Sequence, residues 1–447
     1  MSEARQEYDV IILGGGVAGT SAGITLLQRE GIKVAVAERS NYQAHRVGES
    51  LSPGARPLLE YLKVWDRFQE EQPLDSYGSL GAWTSPEPES FDFLYTLHGS
   101  GWSLDRNRFD LMLKDTFIER GGAFLSGSSF VNAKEIPGEG WELTLKSDTG
   151  ELQLLKASYV IDATGRQGVF AKHIGQTRIV HDKLVGVCCL GKVPKGNTVT
   201  SQVMVEACEY GWWYSAPIAG NKMVVVLMSD ADIVNQLEAK NFDAWKALLN
   251  AMPLTAQRVS EITFEPSTSL YPAFSSVLSE CGGTHWLAVG DAAVSHDPLS
   301  SSGIPHAMGS GVQGAIVTLD SLYNAGEARM AYQEGIQNDF HQYCKTHWQY
   351  YSQVKRWPDS VFWKRRTTAI RLNPNAVLQG RKLSGKAMDL VHLPGRPAQG
   401  LMDLCEQGKA VHEIVRAFHS VYPQYPDQQV ILGFQEMVEK DLVQLAE

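Results

Sequence analysis

The sequence predicts an α/β protein with a Rossmann-like domain, an antiparallel β-sheet inserted into it, and a helical C-terminal region. Three observations carry that prediction. A strand, a glycine turn, a helix and a second strand succeed one another within residues 8–39; strand-like runs crowd residues 176–275; and after residue 330 the pattern turns helical and rich in aromatics. A chain of 447 residues is too long for one simple core, so two or three packed subdomains are expected. Hydrophobic content of 43% with 20% charged residues fits a globular enzyme. The start "MSEARQEYDV" is polar, and no stretch approaches the ~20 apolar residues that span a bilayer. A cytoplasmic protein with no membrane partner is expected. The six cysteines show no CxxC spacing and are expected to be reduced and buried. A net charge of −10 argues against a general nucleic-acid binder. The sequence shows no internal repeat and no metal-ligand cluster.

The first element is "YDVIILGGGVAGTSAGITLLQREGIKVAVAER". Val10 to Leu13 form an apolar run without alternation, as a parallel strand buried on both faces requires. Gly14, Gly16 and Gly19 then give GxGxxG, and Ala18, Ala22 and Leu26 recur at helical spacing. Gly14 permits the tight turn, Gly16 lets backbone approach a pyrophosphate, and Gly19 lets the helix pack on the strand. The helix N-terminus faces the phosphates. A second run, Val34 to Ala37, ends in Glu38, placed to accept hydrogen bonds from a ribose diol. The order of these parts predicts a bound dinucleotide.

Two later segments distinguish one dinucleotide from another. "YVIDATGRQGVF" reads as a strand that breaks at Ala163-Thr164-Gly165. "HWLAVGD" ends at Asp291 and opens the Gly- and Ser-rich stretch "GDAAVSHDPLSSSGIPHAMGSG". An N-terminal GxGxxG, a central ATG and a distal GD together resemble the FAD-dependent monooxygenases typified by aromatic hydroxylases and flavin-dependent halogenases. The resemblance covers residues 8 to about 325. It implies FAD as cofactor, held by a discontinuous domain of residues 1–75, 100–175 and 276–330. The substrate domain would be 76–99 and 176–275, and the helical C-terminal domain 331–447. It further implies that Asp291 bonds the sugar-like chain of FAD, and that Pro298 to Ile304, including Gly303, lie against the flavin ring at a helix N-terminus. Arg39 and Arg46 match arginines near adenosine and pyrophosphate. Arg106 matches an FAD-contacting arginine at a helix start, with Arg108 as a solvated alternative. "VGES", containing Glu49 and Ser50, matches the GExx loop that covers the flavin in the halogenase-like branch.

Within that branch, halogenases pass hypohalous acid to a lysine some 30 residues after the GExx loop. Here no lysine lies between Lys63 and Lys114. The glutamate that follows the Pro-Leu pair in tryptophan halogenases is Ser300, and the Trp-rich signature is broken in "GWWYSAP", where Tyr214 stands for the second Trp. These departures predict a hydroxylase, which transfers the terminal oxygen of a flavin C4a-hydroperoxide to an electron-rich ring. The runs "LVGVCCLGKV", "TSQVMVEAC", "WWYSAPI" and "KMVVVLMS" are expected to form the wall of the substrate pocket, with Trp83, Phe91 and Phe93 closing it. Trp212, Trp213 and Tyr214 are candidates either to stack on an aromatic substrate or to fill the core. His296, His306 and Glu49 are the candidate catalytic groups, an imidazole near neutrality being suited to remove the ring proton.

From Lys345 to Lys386 the chain carries ten Lys or Arg and one acid, Asp359, a charge of about +9 that leaves about −19 elsewhere. The stretch reads equally as a docking surface for a partner protein or as a basic helical domain packed on the nucleotide domain. "VGESLSPGARPLLEYL" with "DPLSSSGIPHAM" and the missing lysine resembles the flavoproteins that hydroxylate a tryptophan of a precursor polypeptide in tryptophylquinone cofactor biogenesis. That resemblance implies a precursor protein as substrate. The alternatives are a hydroxylase or halogenase of a small phenol or indole, a flavin-dependent reductase of isoprenoid chains, and a non-catalytic FAD-binding assembly factor. No second GxGxxG is present, so electrons are expected from NAD(P)H without a dedicated domain or from a separate flavin reductase.

Overall fold

The computed structural model describes residues 6–93, 99–194, 201–367, 377–380, 390, 392–393, 395–439 and 442–445. The unbroken apolar run Val10 to Leu13 lies inside the principal sheet, in the strand Gln6–Leu13, and all four side chains are buried. Leu152–Asp162 and Val34–Glu38 flank it in parallel, with Ile11 opposite Val160 and Val10 opposite Val34. Trp286–Ala288 and Ala123–Ser126 continue the parallel order outward. Gly140–Lys146 folds back antiparallel on Leu152–Asp162, and Ser129–Ile136 pairs antiparallel with Gly140–Lys146 in turn. Two helices, Val17–Leu26 and Gly303–Tyr323, pack over the switch between the strands, and the first is buried along its whole length. Small residues make that approach possible. A Cβ at Gly311 would lie 2.3 Å from the carbonyl oxygen of Ala18.

The inserted sheet runs Thr263–Phe264, Leu184–Lys192, Lys222–Asp230, Gly211–Ile218, Val203–Cys208, Gly78–Ala82 and Glu89–Asp92. It is antiparallel except where Val203–Cys208 meets Gly78–Ala82 in parallel. Alternation along Gly211–Ile218 sends neighbouring side chains to opposite faces. Trp212 joins Tyr351, Phe362 and Trp363 on one side, and Trp213 meets Trp245 on the other at 5.3 Å. Both indoles are fully buried, so of the two readings for these tryptophans the core reading holds. The Trp213 face is covered by three helices that the sequence reading did not anticipate, Ala231–Gln236, Phe242–Asn250 and Pro253–Arg258. Asn241 caps the second by accepting from the amides of Asp243 and Ala244. The buried carboxylate of Glu206 accepts from the amides of Leu254 and Thr255 at the start of the third.

After residue 330 the chain forms the helices Ala328–Ser352, Val361–Thr367, Arg396–Cys405, Val411–Val421 and Asp427–Glu439, with a short pair of strands, Leu378–Gly380 and Val443–Leu445. Leu401, Phe418 and Phe434 share one apolar cluster with Val10 and Ile161, whereas Tyr351, Phe362 and Trp363 join the cluster under Trp212. The basic run is therefore not a uniform solvated face. Arg366 is buried and bonds Asp230 through both terminal nitrogens, at 2.6 and 3.2 Å. Arg365 reaches Asp230 at 2.9 Å and Asp232 at 2.7 Å. Burial alone would raise the pKa of Asp230, but the two guanidinium groups outweigh it and hold the carboxyl below its usual range. Of the run's other cations, Lys345, Lys355 and Lys364 are exposed, while Arg371, Arg381, Lys382 and Lys386 lie outside the described residues. Arg366→Ala removes the buried partner that bonds Asp230 twice and leaves the carboxylate to Arg365 alone, and should cost about 3 kcal/mol of folding free energy in urea denaturation, whereas Lys364→Ala should cost less than about 1 kcal/mol.

Candidate active site

The first strand ends where the parallel strands diverge, and the chain there has to turn sharply into a helix. Gly14 makes the turn at φ +104°, and a Cβ on it would lie 2.3 Å from the carbonyl oxygen of Ala163. At Gly19 a Cβ would lie 1.9 Å from the carbonyl oxygen of Gly14, so the helix rests directly on the turn. Gly16 differs from both. A Cβ there would meet nothing within 4 Å, because Gly16 opens onto a cavity of about 310 Å³. The cavity therefore begins at the N-terminus of the helix Val17–Leu26, where free amides attract anions.

Charged side chains surround this end. Glu38 accepts from the amide of Gly15 at 2.7 Å and from that of Ser40 at 2.8 Å. Arg46 lies 3.5 Å from Glu38 and 2.7 Å from Asp110, a fully buried carboxylate that also takes Arg106 at 3.1 Å. Arg106 lines the cavity and donates to the carbonyl oxygen of Val47 at 2.5 Å, supporting the Val47–Ser50 loop from beneath. Asp110 was missed in the sequence, although its i,i+4 spacing from Arg106 was visible. Arg108 pairs with Glu71 at the surface. Arg39 is exposed and bonds Gln167 at 3.2 Å, apart from the residues that line the cavity.

The distal motif forms the opposite wall. Asp291 lines the cavity and is held at 2.5 Å by Arg166, which also donates to the carbonyl oxygen of His296 at 2.8 Å. Arg166 was the second omission, although it directly follows the ATG turn. Pro298, Gly303 and Ile304 line the same cavity, and with them Glu49, Ser50, His296 and His306. The two imidazoles lie 4.9 Å apart between centroids, and neither Nε2 has a hydrogen-bond partner. Burial, and then the neighbouring His306, push His296 down to about 4. Burial also lowers His306, with Asp291 acting against it. At neutral pH both rings are uncharged and each can accept a proton.

The remaining wall comes from the inserted sheet and is apolar. Tyr214, Val226, Met228 and Tyr271 line it, and Glu49 is the buried carboxylate among them, its Oε1 3.4 Å from Nε2 of His45. Burial and the nearby Glu49 raise the Tyr214 hydroxyl well above its ordinary pKa, so it stays a neutral donor. Trp83, Phe91 and Phe93 do not line the cavity, contrary to expectation. Trp83 is drawn instead to the C-terminal helix, donating to the carbonyl oxygen of Tyr350 at 3.0 Å, and Phe91 stands 61% exposed at the sheet edge.

Two predictions follow from this geometry. Gly16→Val should fold normally, because the added side chain meets open space, yet lose FAD by at least tenfold in a fluorescence titration. An imidazole kept neutral by the fold but free to protonate when unfolded stabilises the protein above its unfolded pKa of 6.5. For His296 that contribution, about 3 kcal/mol, is lost as the pH falls from 6.5 toward about 4, so His296→Gln should flatten the acid limb of the stability profile in urea titrations.

Known proteins resemble this chain in sequence and in fold. The chain is 30% identical over 364 residues to the putative FAD-dependent oxidoreductase LodB of Marinomonas mediterranea, covering 81% of this chain and 97% of LodB. It is 27% identical over 348 residues to the tryptophan 2-halogenase of Chondromyces crocatus, covering 75% of this chain and 64% of that protein. The fold matches the peptidyl tryptophan dihydroxylase QhpG, essential for tryptophylquinone cofactor biogenesis, with a TM-score of 0.62 at 20% identity over 98% of this chain and 100% of QhpG. A family model described as an FAD binding domain matches residues 7–316, spanning the glycine cradle, Arg106, Arg166 and the helix after Gly303. With that match over more than half of its length, the chain belongs to the FAD-binding-domain family, and its relatives include a putative FAD-dependent oxidoreductase and a flavin-dependent halogenase.

Proposed function

We propose that this protein is a monooxygenase that uses FAD to hydroxylate an aromatic ring, with a tryptophan side chain of a polypeptide as substrate. The observation that carries the reading is the cavity's set of side chains. No lysine is among the described residues that line it, and its two arginines, Arg106 and Arg166, are each tied to an aspartate. Ser300, where a tryptophan halogenase carries a glutamate, sits in the turn Pro298–Ser300, and its hydroxyl lies 2.7 Å from that of Ser302. The apolar wall around Tyr214 and Met228 suits a planar ring.

Bound and reduced, FAD supplies activated oxygen. One atom of O₂ enters the ring, the other leaves as water, and the two electrons come from NAD(P)H or from a reduced flavin supplied by a separate reductase. The ring carbon then gives up its proton. His306, His296 and Glu49 border the cavity, the two imidazoles with Nε2 unpartnered, and we assign them to its removal. The polypeptide substrate is supported by the likeness to QhpG and by the exposed Lys345, Lys355 and Lys364, with Trp348 45% exposed in the same run. Halogenation is the second reading, favoured by the tryptophan 2-halogenase relative.

The deciding experiment is mass spectrometry after incubation of reduced enzyme with labelled O₂, chloride and bromide. A tryptophan-bearing precursor polypeptide should gain oxygen and no halogen, and free tryptophan should react far more slowly. Halogenated product at comparable turnover would establish the second reading. Reversing Lys345, Lys355 and Lys364 to Glu should raise the apparent KM for the polypeptide several-fold and abolish its salt dependence, without loss of FAD.

A further inference from the structure

Three separate parts of the chain converge on one carboxylate behind the cavity. Asp297 immediately precedes the turn Pro298–Ser300, is 2% exposed, and lines the cavity wall. Its Oδ1 accepts from the amide of Leu299 at 2.8 Å, which ties the side chain to the turn. Its Oδ2 accepts from the hydroxyl of Tyr351 at 2.6 Å and lies 3.3 Å from Nε2 of His347. Its own amide donates to the hydroxyl of Tyr343 at 2.9 Å. Tyr343, His347 and Tyr351 repeat every four residues, so they form one stripe of the helix Ala328–Ser352. The Tyr351 hydroxyl also accepts from Nε1 of Trp212 at 2.9 Å, which links the inserted sheet to the same point.

The turn that this carboxylate holds is not one the backbone favours unaided. Ser301 follows it at φ +48°, a left-handed conformation uncommon for a residue with a side chain. Its shape matters because Pro298, Ser300, Ser301 and Gly303 all border the cavity, and Gly303 begins the helix whose amides face it. A buried carboxylate is expensive unless donors surround it. Burial opposes the charge on Asp297, but His347, Tyr351 and the Leu299 amide outweigh it and hold the carboxyl below its usual range.

We propose that Asp297 is a positioning residue for the flavin-facing turn, and that the C-terminal helix sets that turn through Tyr351 and His347. The proposal rests on FAD occupying the cavity and is independent of which oxidation follows. It makes the helix Ala328–Ser352 a working part of the cofactor site although, of its side chains, none lines the cavity among the described residues.

Tyr351→Phe tests this while preserving the ring that stacks on His347 at 4.4 Å. Asp297→Asn removes the charge, and Tyr350→Phe, whose side chain is exposed, serves as the control. FAD affinity is read by fluorescence titration, the cavity turn by hydrogen exchange of the amides from 299 to 304, and the flavin environment by the visible absorption of bound FAD. Tyr351→Phe and Asp297→Asn should each weaken FAD at least tenfold, accelerate exchange in that segment and shift the absorption, with Tyr350→Phe unchanged. Wild-type FAD affinity, exchange and absorption in Tyr351→Phe, with only a lower melting temperature, would overturn the proposal and leave the contact as packing. Should Asp297→Asn fail to fold, Tyr351→Phe alone decides. Wild-type protein that bound no FAD would refute the underlying assignment instead, and a missing hydroxylated product would touch neither measurement.

Discussion

The architecture depends on one close approach, between the turn at Gly14 and the end of the strand Leu152–Asp162. Parallel neighbours must diverge at their carboxyl ends for a crevice to form there. The gap at this point admits backbone and no side chain, since even a Cβ on Gly14 would lie 2.3 Å from Ala163. Once the turn is that tight, the helix Val17–Leu26 starts directly above it and its free amides point into the crevice. The same economy of space continues through Gly19 and Gly311, so turn, first helix and distal helix form a three-layer stack without intervening side chains.

Charge is arranged around this stack so that little of it is left uncompensated. Asp110 takes two arginines, Asp291 takes Arg166, and Asp230 takes Arg365 and Arg366. Such pairs add little net stability in a protein interior, because desolvation offsets most of the attraction, but they impose geometry. Two of the three fix elements that border the cavity. The third clamps the helix Val361–Thr367 to the inserted sheet and takes Arg366 of the basic run into the interior.

Much of the nucleotide half was legible in the sequence because its signals are local. An apolar run without alternation, a GxGxxG and an acidic residue at the end of the second strand each lie within about 30 residues, and each reports a steric or hydrogen-bonding demand of its own neighbourhood. Asp291, His296 and His306 fall within one motif-bearing segment, and all three border the cavity. Asp110 and Arg166 were missed because a lone charged residue carries no period, and only the fold shows what it faces. Trp83 was misplaced on different grounds. Its aromatic character states that it will be buried but not against what, and the partner, Tyr350, stands far away in sequence. The helices between residues 231 and 258 were overlooked because a stretch dominated by strands masked short helical segments whose capping signals, such as Asn241, were present.

Tyr351 leaves the ribosome well after the last residue that lines the cavity, Ala307. A nascent chain that has just released residue 307 already carries the glycine turn, Glu38, Arg106, the distal aspartate and the strand Trp286–Ala288 that pairs with Leu152–Asp162, but the Asp297 carboxylate still lacks its partners from the helix Ala328–Ser352. Contacts of such long sequence separation form late and slowly. The turn that faces the cavity is thus completed only by chain made after the cavity's own lining residues.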